Sequence, residues 1–204
     1  MATAIMYFDG TYYPKKLGGY AAWGVWIEGL GPGGVGLCGC LKKSRPKSVA
    51  VAEYTALVRG LEYLVQRGVR TCEIRGDNQS IIKQMLGMSR VKASTVVSLW
   101  SKAVDLSRRL TNVVFRWIPR KDNARADLWS RFGLYCLFKK RAREVLAKWD
   151  IQVKSNMYYF HKENQSYTVT RQQDGKFHCS CESYRASPIG VCKHVAAAWF
   201  LAGE

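Results

Sequence analysis

A single acidic residue inside an apolar helical stripe is the feature that most limits how this chain can fold. The periodicity of residues 52–66 predicts a helix that ends at Gly68. On that helix Glu53 shares a face with the apolar positions that must pack on other elements, namely Leu57, Gly60, Leu61 and Leu64. Because a buried carboxylate costs several kcal/mol without a cationic partner, the fold must bring either an arginine or a metal ion to Glu53.

The order of the predicted elements indicates an α/β fold. Three apolar runs predict strands of an antiparallel meander, over residues 3–8, 20–27 and 35–42. Two further strands, over residues 72–76 and 113–118, alternate with helices over residues 52–66, 78–86, 94–110 and from about 126. A meander followed by alternating strands and helices is typical of a mixed sheet covered by helices.

Three other acidic residues stand at the ends of these elements. Asp9 ends the first predicted strand before Gly10, where the chain can turn sharply. Asp77 follows the fourth strand, and Asp127 lies near the start of the last helix. Taken singly, Asp77 and Asp127 could be helix N-caps and Asp9 a turn residue. If the first and fourth strands are neighbours, however, all three can converge with Glu53.

Four converging carboxylates repel one another, and divalent cations relieve that repulsion. Hard oxygen ligands favour Mg²⁺ or Mn²⁺, and two such ions held by carboxylates are the arrangement used for in-line displacement at phosphodiesters. The chain carries 32 Lys and Arg against 15 Asp and Glu, a net charge of +17. A field of that sign attracts polyanions, so the predicted chemistry is hydrolysis of a nucleic acid.

The residues around the four acids resemble those of type 1 ribonuclease H over roughly residues 3–135. The matching segments are Tyr7–Thr11, Ala52–Leu57 with Gly60–Leu61, Gly76–Gln79 and Pro119–Asp127. The resemblance implies a five-stranded ribonuclease H fold that cuts the RNA strand of RNA/DNA hybrids. It also implies that Asp9, Glu53, Asp77 and Asp127 are the catalytic ligands of two Mg²⁺ or Mn²⁺ ions, with Asp9 bridging both.

Substrate contacts are predicted around these acids, and the sequence departs from the family there. The candidate contact residues are Gly10, Thr11, Lys15, Lys16, Asn78, Arg120, Lys121 and Asn123. Many members carry Thr-Asn-Asn before the catalytic glutamate, whereas this chain has Ser48, Val49 and Ala50. The histidine that often precedes the last aspartate is missing, and Arg120 begins that segment instead.

These departures keep two alternatives open. One is a non-catalytic or weakly catalytic nucleic-acid-binding protein of the same fold. The other is a nuclease of this fold that acts on double-stranded RNA or branched DNA.

A second motif lies in the last fifty residues. Cys179-Ser180-Cys181 is followed, ten residues later, by Cys192-Lys193-His194. This pattern predicts a tetrahedral Cys₃His zinc site formed by Cys179, Cys181, Cys192 and His194. With the hairpin predicted before it and the helix after it, the segment resembles the SWIM zinc finger. That resemblance implies a structural Zn²⁺ and a role in binding nucleic acid or a protein partner.

The same features suggest three parts of the chain and a location. We predict a ribonuclease H-like domain over residues 1–138, a basic helical linker over 139–153 and a SWIM-like zinc finger over 154–204. The first ten residues lack the pattern of a secretory signal, and the glycine-rich stretch over 17–41 is a poor membrane span. A cytoplasmic monomer with no membrane partner is therefore expected.

Overall fold

The structure, a computed structural model, describes residues 4–13, 19–41 and 48–203 of the chain. Its strands are β1 (Ala4–Tyr12), β2 (Ala21–Glu28), β3 (Val35–Cys40), β4 (Thr71–Gly76), β5 (Asn112–Trp117), β6 (Asp150–Lys154), β7 (Met157–Lys162), β8 (Gln165–Arg171) and β9 (Phe177–Cys179). Its helices are α1 (Val49–Gln66), α2 (Gln79–Met85), α3 (Ser94–Arg108), α4 (Ala124–Phe132), α5 (Lys139–Lys148), α6 (Glu182–Arg185) and α7 (Lys193–Leu201). A 3₁₀ turn, Arg120–Asn123, leads into α4.

The first five strands form one mixed sheet in the order β3-β2-β1-β4-β5. β1 pairs antiparallel with β2 and parallel with β4, which in turn pairs parallel with β5. The predicted α/β fold with a five-stranded mixed sheet is confirmed. Because β1 and β4 are parallel neighbours with Tyr7 paired to Arg75, their register brings Asp9 of β1 level with Asp77, which directly follows β4.

Two glycines let helices approach this sheet from its two faces. A Cβ atom on Gly10 would lie 2.2 Å from the backbone nitrogen of Glu53 in α1, and one on Gly24 would lie 2.0 Å from that of Ser130 in α4. The register partner of Gly24 is Asp9 rather than Gly10, and neighbouring residues of a strand point to opposite faces. α1 and α4 therefore cover opposite faces, and Asp9 points toward the α4 side.

The predicted sharp turn at Gly10 is wrong. β1 continues through Tyr12, so Asp9 lies within the strand rather than at its end. Gly10 is required because α1 crosses the strand there, at a distance that leaves no room for a side chain.

The apolar stripe of α1 forms the centre of the core, as its periodicity predicts. Leu57, Leu61 and Leu64 are fully buried, and Glu53 on the same face is 7% exposed. The helix begins three residues earlier than predicted because the side chain of Ser48 caps it, accepting a hydrogen bond from the backbone N–H of Val51 at 3.2 Å.

The last four strands form a second, antiparallel sheet in the order β6-β7-β8-β9. The predicted hairpin corresponds to β7 and β8, and the predicted last helix to α7. Within the predicted helical linker over 139–153, the helix α5 ends at Lys148, and the residues from Asp150 onward form β6, which pairs with β7. Sequence periodicity missed β6 because it is short and mostly exposed.

The chain divides into two units, Met1–Gly133 and Leu134–Glu204. The first holds the mixed sheet with α1 to α4, and the second holds the antiparallel sheet with α5 to α7. Across the described ranges, no helix combines the length and the apolar composition that crossing a bilayer requires.

Candidate active site and metal cluster

Asp9 and Glu53 approach the same edge of the sheet from different elements. Asp9 is 3% exposed in β1, and Glu53 is held next to that strand by the close contact between Gly10 and α1. Among the described residues, Oδ2 of Asp9 and Oε2 of Glu53 are buried without a hydrogen-bond partner. Neither carboxylate is ion-paired with a described lysine or arginine, so the arginine that could have compensated Glu53 is not at that position.

Burial and the charges of neighbouring carboxylates both disfavour the ionised forms of this pair. The pKa of Asp9 is raised to about 6, chiefly by burial; a hydrogen bond with Ser130 opposes this rise, and the nearby charges of Asp127 and Asp77 contribute to it. Burial also raises the pKa of Glu53 to about 8, with a second contribution from the charge of Asp9. Buried, partnerless carboxylate oxygens that repel one another suit a hard divalent cation such as Mg²⁺ or Mn²⁺. The donor set therefore fits the ions predicted for it.

Asp77 follows β4 directly and is fixed by a buried amide. The side-chain nitrogen of Asn123 donates to Oδ1 of Asp77 at 2.9 Å and to the carbonyl oxygen of Phe8 at 3.0 Å. Asn123 is 1% exposed, so its amide is committed to the interior. It links β1, β4 and the turn before α4 rather than facing a substrate.

Asp127, in α4, is ion-paired with two arginines. Nη2 of Arg120 lies 2.7 Å from its Oδ1, and Nε of Arg131 lies 2.8 Å from its Oδ2. Arg120 also reaches Asp77, with Nη1 3.9 Å from Oδ2. The four predicted acids thus fall into two halves, one without a cationic partner (Asp9 and Glu53) and one bridged by Arg120 (Asp77 and Asp127).

Sequence reasoning missed Arg131 and Ser130. Arg131 lies four residues after Asp127 on the same helix, a spacing at which side chains meet, so the sequence held a signal for it. Ser130 is fully buried and bonds through its hydroxyl to the carbonyl oxygen of Asp127 at 2.9 Å and to the hydroxyl of Thr11 at 2.6 Å. The hydroxyl of Thr11, a predicted substrate contact, is therefore shared with α4.

The remaining predicted contacts lie around the acids or outside the described part of the chain. Asn78 caps α2 and lies close enough to Glu53 to lower its pKa by a hydrogen bond. Lys121 is exposed. Lys15 and Lys16 lie outside the described residues. Where many relatives of the family carry asparagine, Val49 presents an apolar side chain that is 47% exposed at the start of α1.

Comparison with known proteins shows the family to which the chain belongs. Residues 8–133 match the family described as "Reverse transcriptase-like". The matched segment contains all four predicted acids and covers more than half of the chain. The chain belongs to this family. Its first unit is a ribonuclease H-like domain.

Solved structures resemble this ribonuclease H-like domain. RNase H1 of the halophilic archaeon Halobacterium salinarum NRC-1 is 26% identical with a TM-score of 0.58, and the match covers 65% of this chain and 97% of that chain. LC11-RNase H1, isolated from compost by a metagenomic approach and solved in complex with an RNA/DNA hybrid, is 31% identical. Its TM-score is 0.53, with 61% of this chain and 91% of that chain covered.

A curated relative matches a shorter stretch. The "Bifunctional protein Rv2228c" of Mycobacterium tuberculosis is 31% identical over 77 residues, which is 38% of this chain. The matched part spans only 21% of the length of that relative.

Beyond the ribonuclease H-like domain, the second unit brings together the four predicted zinc ligands. Cys179 ends β9, Cys181 precedes α6, Cys192 caps α7 and His194 lies in its first turn. All four are buried, and their candidate ligand atoms lie within 4.8 Å of one another. Three sulfurs and one imidazole at such separations form a donor set compatible with one Zn²⁺ ion.

The cluster favours the thiolate form at one of its three cysteines, Cys192, whereas a hydrogen bond with Cys192 raises the pKa of Cys179 and burial raises the pKa of Cys181. The hydrogen bond from Cys179 lowers the pKa of Cys192, and further hydrogen bonds from His194 and the backbone N–H of Val195 act in the same direction. The thiolate is the form of cysteine that binds a metal. Aromatic rings enclose the histidine, since Tyr167 and Trp149 lie 4.7 and 5.0 Å from its ring centroid.

Proposed function

We propose that the chain is a metal-dependent ribonuclease H that hydrolyses the RNA strand of RNA/DNA hybrids. The observation that carries this proposal is the pair of buried, partnerless oxygens of Asp9 and Glu53 beside Asp77 and Asp127. Similarity to RNase H1 proteins, one of them solved with an RNA/DNA hybrid, supports the choice of substrate.

In this proposal the four acids Asp9, Glu53, Asp77 and Asp127 hold two Mg²⁺ or Mn²⁺ ions. When bound, such ions supply an activated water and stabilise the leaving oxygen of the phosphodiester. Asn123 acts as a positioning residue, since its amide fixes the Asp77 carboxylate. Arg120 is 72% exposed at its side chain, so it is free to exchange its bond with Asp127 for a contact with a substrate phosphate.

One observation favours a second candidate function, a nucleic-acid-binding protein with weak or no catalysis. Arg120 and Arg131 together neutralise Asp127, and a carboxylate that stays paired cannot serve as a metal ligand. We rank this candidate second because both arginines are partly exposed, and ion pairs exposed to solvent are weak enough to be displaced by a divalent cation.

A cleavage assay tests the first proposal. Labelled RNA/DNA hybrid, double-stranded RNA, single-stranded RNA, branched DNA and duplex DNA are incubated with the full chain and Mg²⁺ or Mn²⁺. We expect cleavage of the RNA strand of the hybrid. Asp9→Asn and Asp77→Asn should abolish that cleavage with the fold intact, whereas the matched control Asp122→Asn, which changes an exposed acid on the 3₁₀ turn before α4, should retain it.

Each other result selects a different function. Binding of the hybrid without cutting by the wild-type chain would select the non-catalytic candidate. Cutting of only double-stranded RNA or branched DNA would select a nuclease with another substrate. Full activity of Asp9→Asn would overturn the assignment of the metal ligands.

We further propose that Cys179, Cys181, Cys192 and His194 hold a structural Zn²⁺ in a SWIM-type module that aids nucleic-acid binding. The buried Cys₃His donor set supports the metal. The hairpin β7–β8 before it and the helix α7 after it support the resemblance to the SWIM finger.

A further inference from the structure

The exposed face of α5 concentrates positive charge that nothing in the described chain neutralises. Five of its ten residues are Lys or Arg, against one acid, Glu144. In the described ranges, none of these five cations is ion-paired with a carboxylate. Such a helix face is expected to attract a polyanion.

Four of the five cations, Lys139, Lys140, Arg143 and Lys148, share one open face of the helix with Glu144 and Ala147. Ala142 and Val145, on the opposite side of the helix, are buried, and α5 packs against α7. The helix is thus anchored by its apolar side and presents its charged side to solvent.

The distribution of charged residues along α5 destabilises the helix itself. Lys139, Lys140 and Arg141 occupy the first turn, where the helix dipole is positive, and no acidic residue offsets them. The N-cap residue, Phe138, provides no side-chain hydrogen bond to the free backbone N–H groups. An arrangement that costs local stability is expected where function requires it, and an anion bound along this turn would relieve the cost.

We propose that this face, defined by Lys139, Lys140, Arg143 and Lys148 and called the α5 basic face, binds the phosphate backbone of a nucleic-acid duplex. This inference rests on the proposed function and names a contact surface for it outside the ribonuclease H-like domain. The face is about 14 Å long at about 1.5 Å per helical residue, enough to follow about four base-pair steps of a duplex. Ala147 is its only apolar lining residue, whereas protein interfaces have an apolar core.

The C-terminal end of α5 contacts the Cys₃His cluster. Trp149 is the C-cap of α5, and its ring contacts the ring of the cluster ligand His194 at 5.0 Å. Nζ of Lys193 lies 5.0 Å from the ring centroid of Trp149. A metal ion bound at the cluster would therefore fix the end of the basic helix as well as α7.

The test compares two triple variants of the full chain, each in an Asp9→Asn background so that no cleavage occurs. One carries Lys139→Gln, Lys140→Gln and Arg143→Gln. The matched control removes three other cations of the second unit, Lys154→Gln, Lys162→Gln and Lys176→Gln. Fluorescence anisotropy measures the affinity for a labelled RNA/DNA hybrid across a KCl series.

We expect the α5 variant to bind the hybrid about tenfold more weakly or worse at 0.1 M KCl. Its slope of log affinity against log salt should be shallower by two to three, since each phosphate contact contributes about 0.9. The control should change affinity by less than about twofold. The α5 variant should also melt at the same or a higher temperature, because the removed charges oppose the helix dipole.

Equal salt slopes for the α5 variant and the control would overturn the inference. The same holds if the α5 substitutions weaken binding only to vesicles of phosphatidylserine or to a polyglutamate peptide, which would indicate a membrane or protein partner. If the α5 triple variant does not fold, Lys140→Gln alone is tested for a slope change of about one. Because binding is measured without cleavage, the result does not depend on whether the wild-type chain is catalytic.

Discussion

Glu53 combines a structural cost, the burial of an acid, with a proposed function. It stands on the apolar face of α1, and the arginines near the site bond to Asp127 and Asp77 instead. The half of the site formed with Asp9 is therefore without an ion-paired cation among the described residues. This uneven distribution of arginine favours the proposed metal site over an ordinary network of buried ion pairs.

The raised pKa of Glu53 predicts a pH-dependent stability without divalent ions. In the folded chain this carboxyl titrates at about 8, against an ordinary 4.5. Between these values the folded state binds more protons than the unfolded state, so the free energy of unfolding falls as pH rises through this window, by a few kcal/mol. Asp9 adds to the fall between 3.8 and about 6. Urea unfolding at pH 5, 6.5 and 8 measures it.

The matched variants separate Glu53 from other groups. Glu53→Gln should flatten the decline in the free energy of unfolding between pH 5 and 8. Glu62 lies on the same helix but is ion-paired with Lys102 and Arg59, so Glu62→Gln should leave that decline unchanged. Parallel pH curves for the wild-type chain and Glu53→Gln would contradict the prediction.

At the residue scale, the sequence predicts which residues belong to the candidate site better than it predicts which residues they contact. Glu53 could be found because an acid on an apolar stripe has few explanations. The positioning role of Asn123 could not, because its burial depends on how the turn before α4 packs against β1 and β4. The two arginines at Asp127 are intermediate between these cases. The contact of Arg131 follows from its spacing on the helix, whereas the contact of Arg120 depends on the conformation of the turn before α4.

At the scale of elements, periodicity predicts most of the first sheet. Strong apolar runs mark β1 to β5, and their alternation with helices predicts a mixed sheet covered by helices, whereas the strand order itself comes from the structure. The short strands β6 and β9 were missed, because three to five residues with exposed positions carry no readable period. The crossing of α1 over β1 at Gly10 was also not predictable, since a glycine after a strand more commonly marks a turn.

That crossing gives a prediction for Gly10→Ala. The new methyl group would meet the backbone of Glu53 at 2.2 Å, so α1 must move away from β1. We expect a loss of about 1–3 kcal/mol in the free energy of unfolding, as for other overpacked cores, and weaker Mg²⁺ binding because Glu53 moves away from Asp9. Urea unfolding and calorimetric Mg²⁺ titration measure the two effects.

Gly39→Ala is the comparison for that variant. The atoms nearest to its methyl group would be ring atoms of the Trp23 side chain, at 2.9–3.0 Å, and a side chain yields more easily than backbone. Gly10→Ala should therefore be the more damaging of the two. Equal stability and Mg²⁺ affinity in both variants would contradict a tight helix crossing.

At the scale of the molecule, we expect each of the two units to be stabilised internally by a different means. The unit Met1–Gly133 has a large apolar core under α1 and α3. The unit Leu134–Glu204 is smaller, and small units commonly need a metal or another crosslink. We therefore expect the second unit to depend on zinc for its stability.

Elemental analysis of the purified chain should find about one zinc per molecule. Cys192→Ser should lose that zinc and lower the melting temperature of the second unit, because the metal-bound ligands stabilise only the folded form. Cys136→Ser, which changes a cysteine of the same unit outside the cluster, should keep the zinc. Undiminished zinc in Cys192→Ser would rule out the proposed ligand set.

The contact between Trp149 and His194 has a practical consequence for following the second unit in solution. The indole ring of Trp149 lies 5.0 Å from the ring of His194, a proposed zinc ligand, close enough for a paramagnetic ion such as Co²⁺ to quench its emission. Exchange of the proposed Zn²⁺ for Co²⁺ would then dim the emission of Trp149. Tryptophan fluorescence would thus report the metal loading of the second unit.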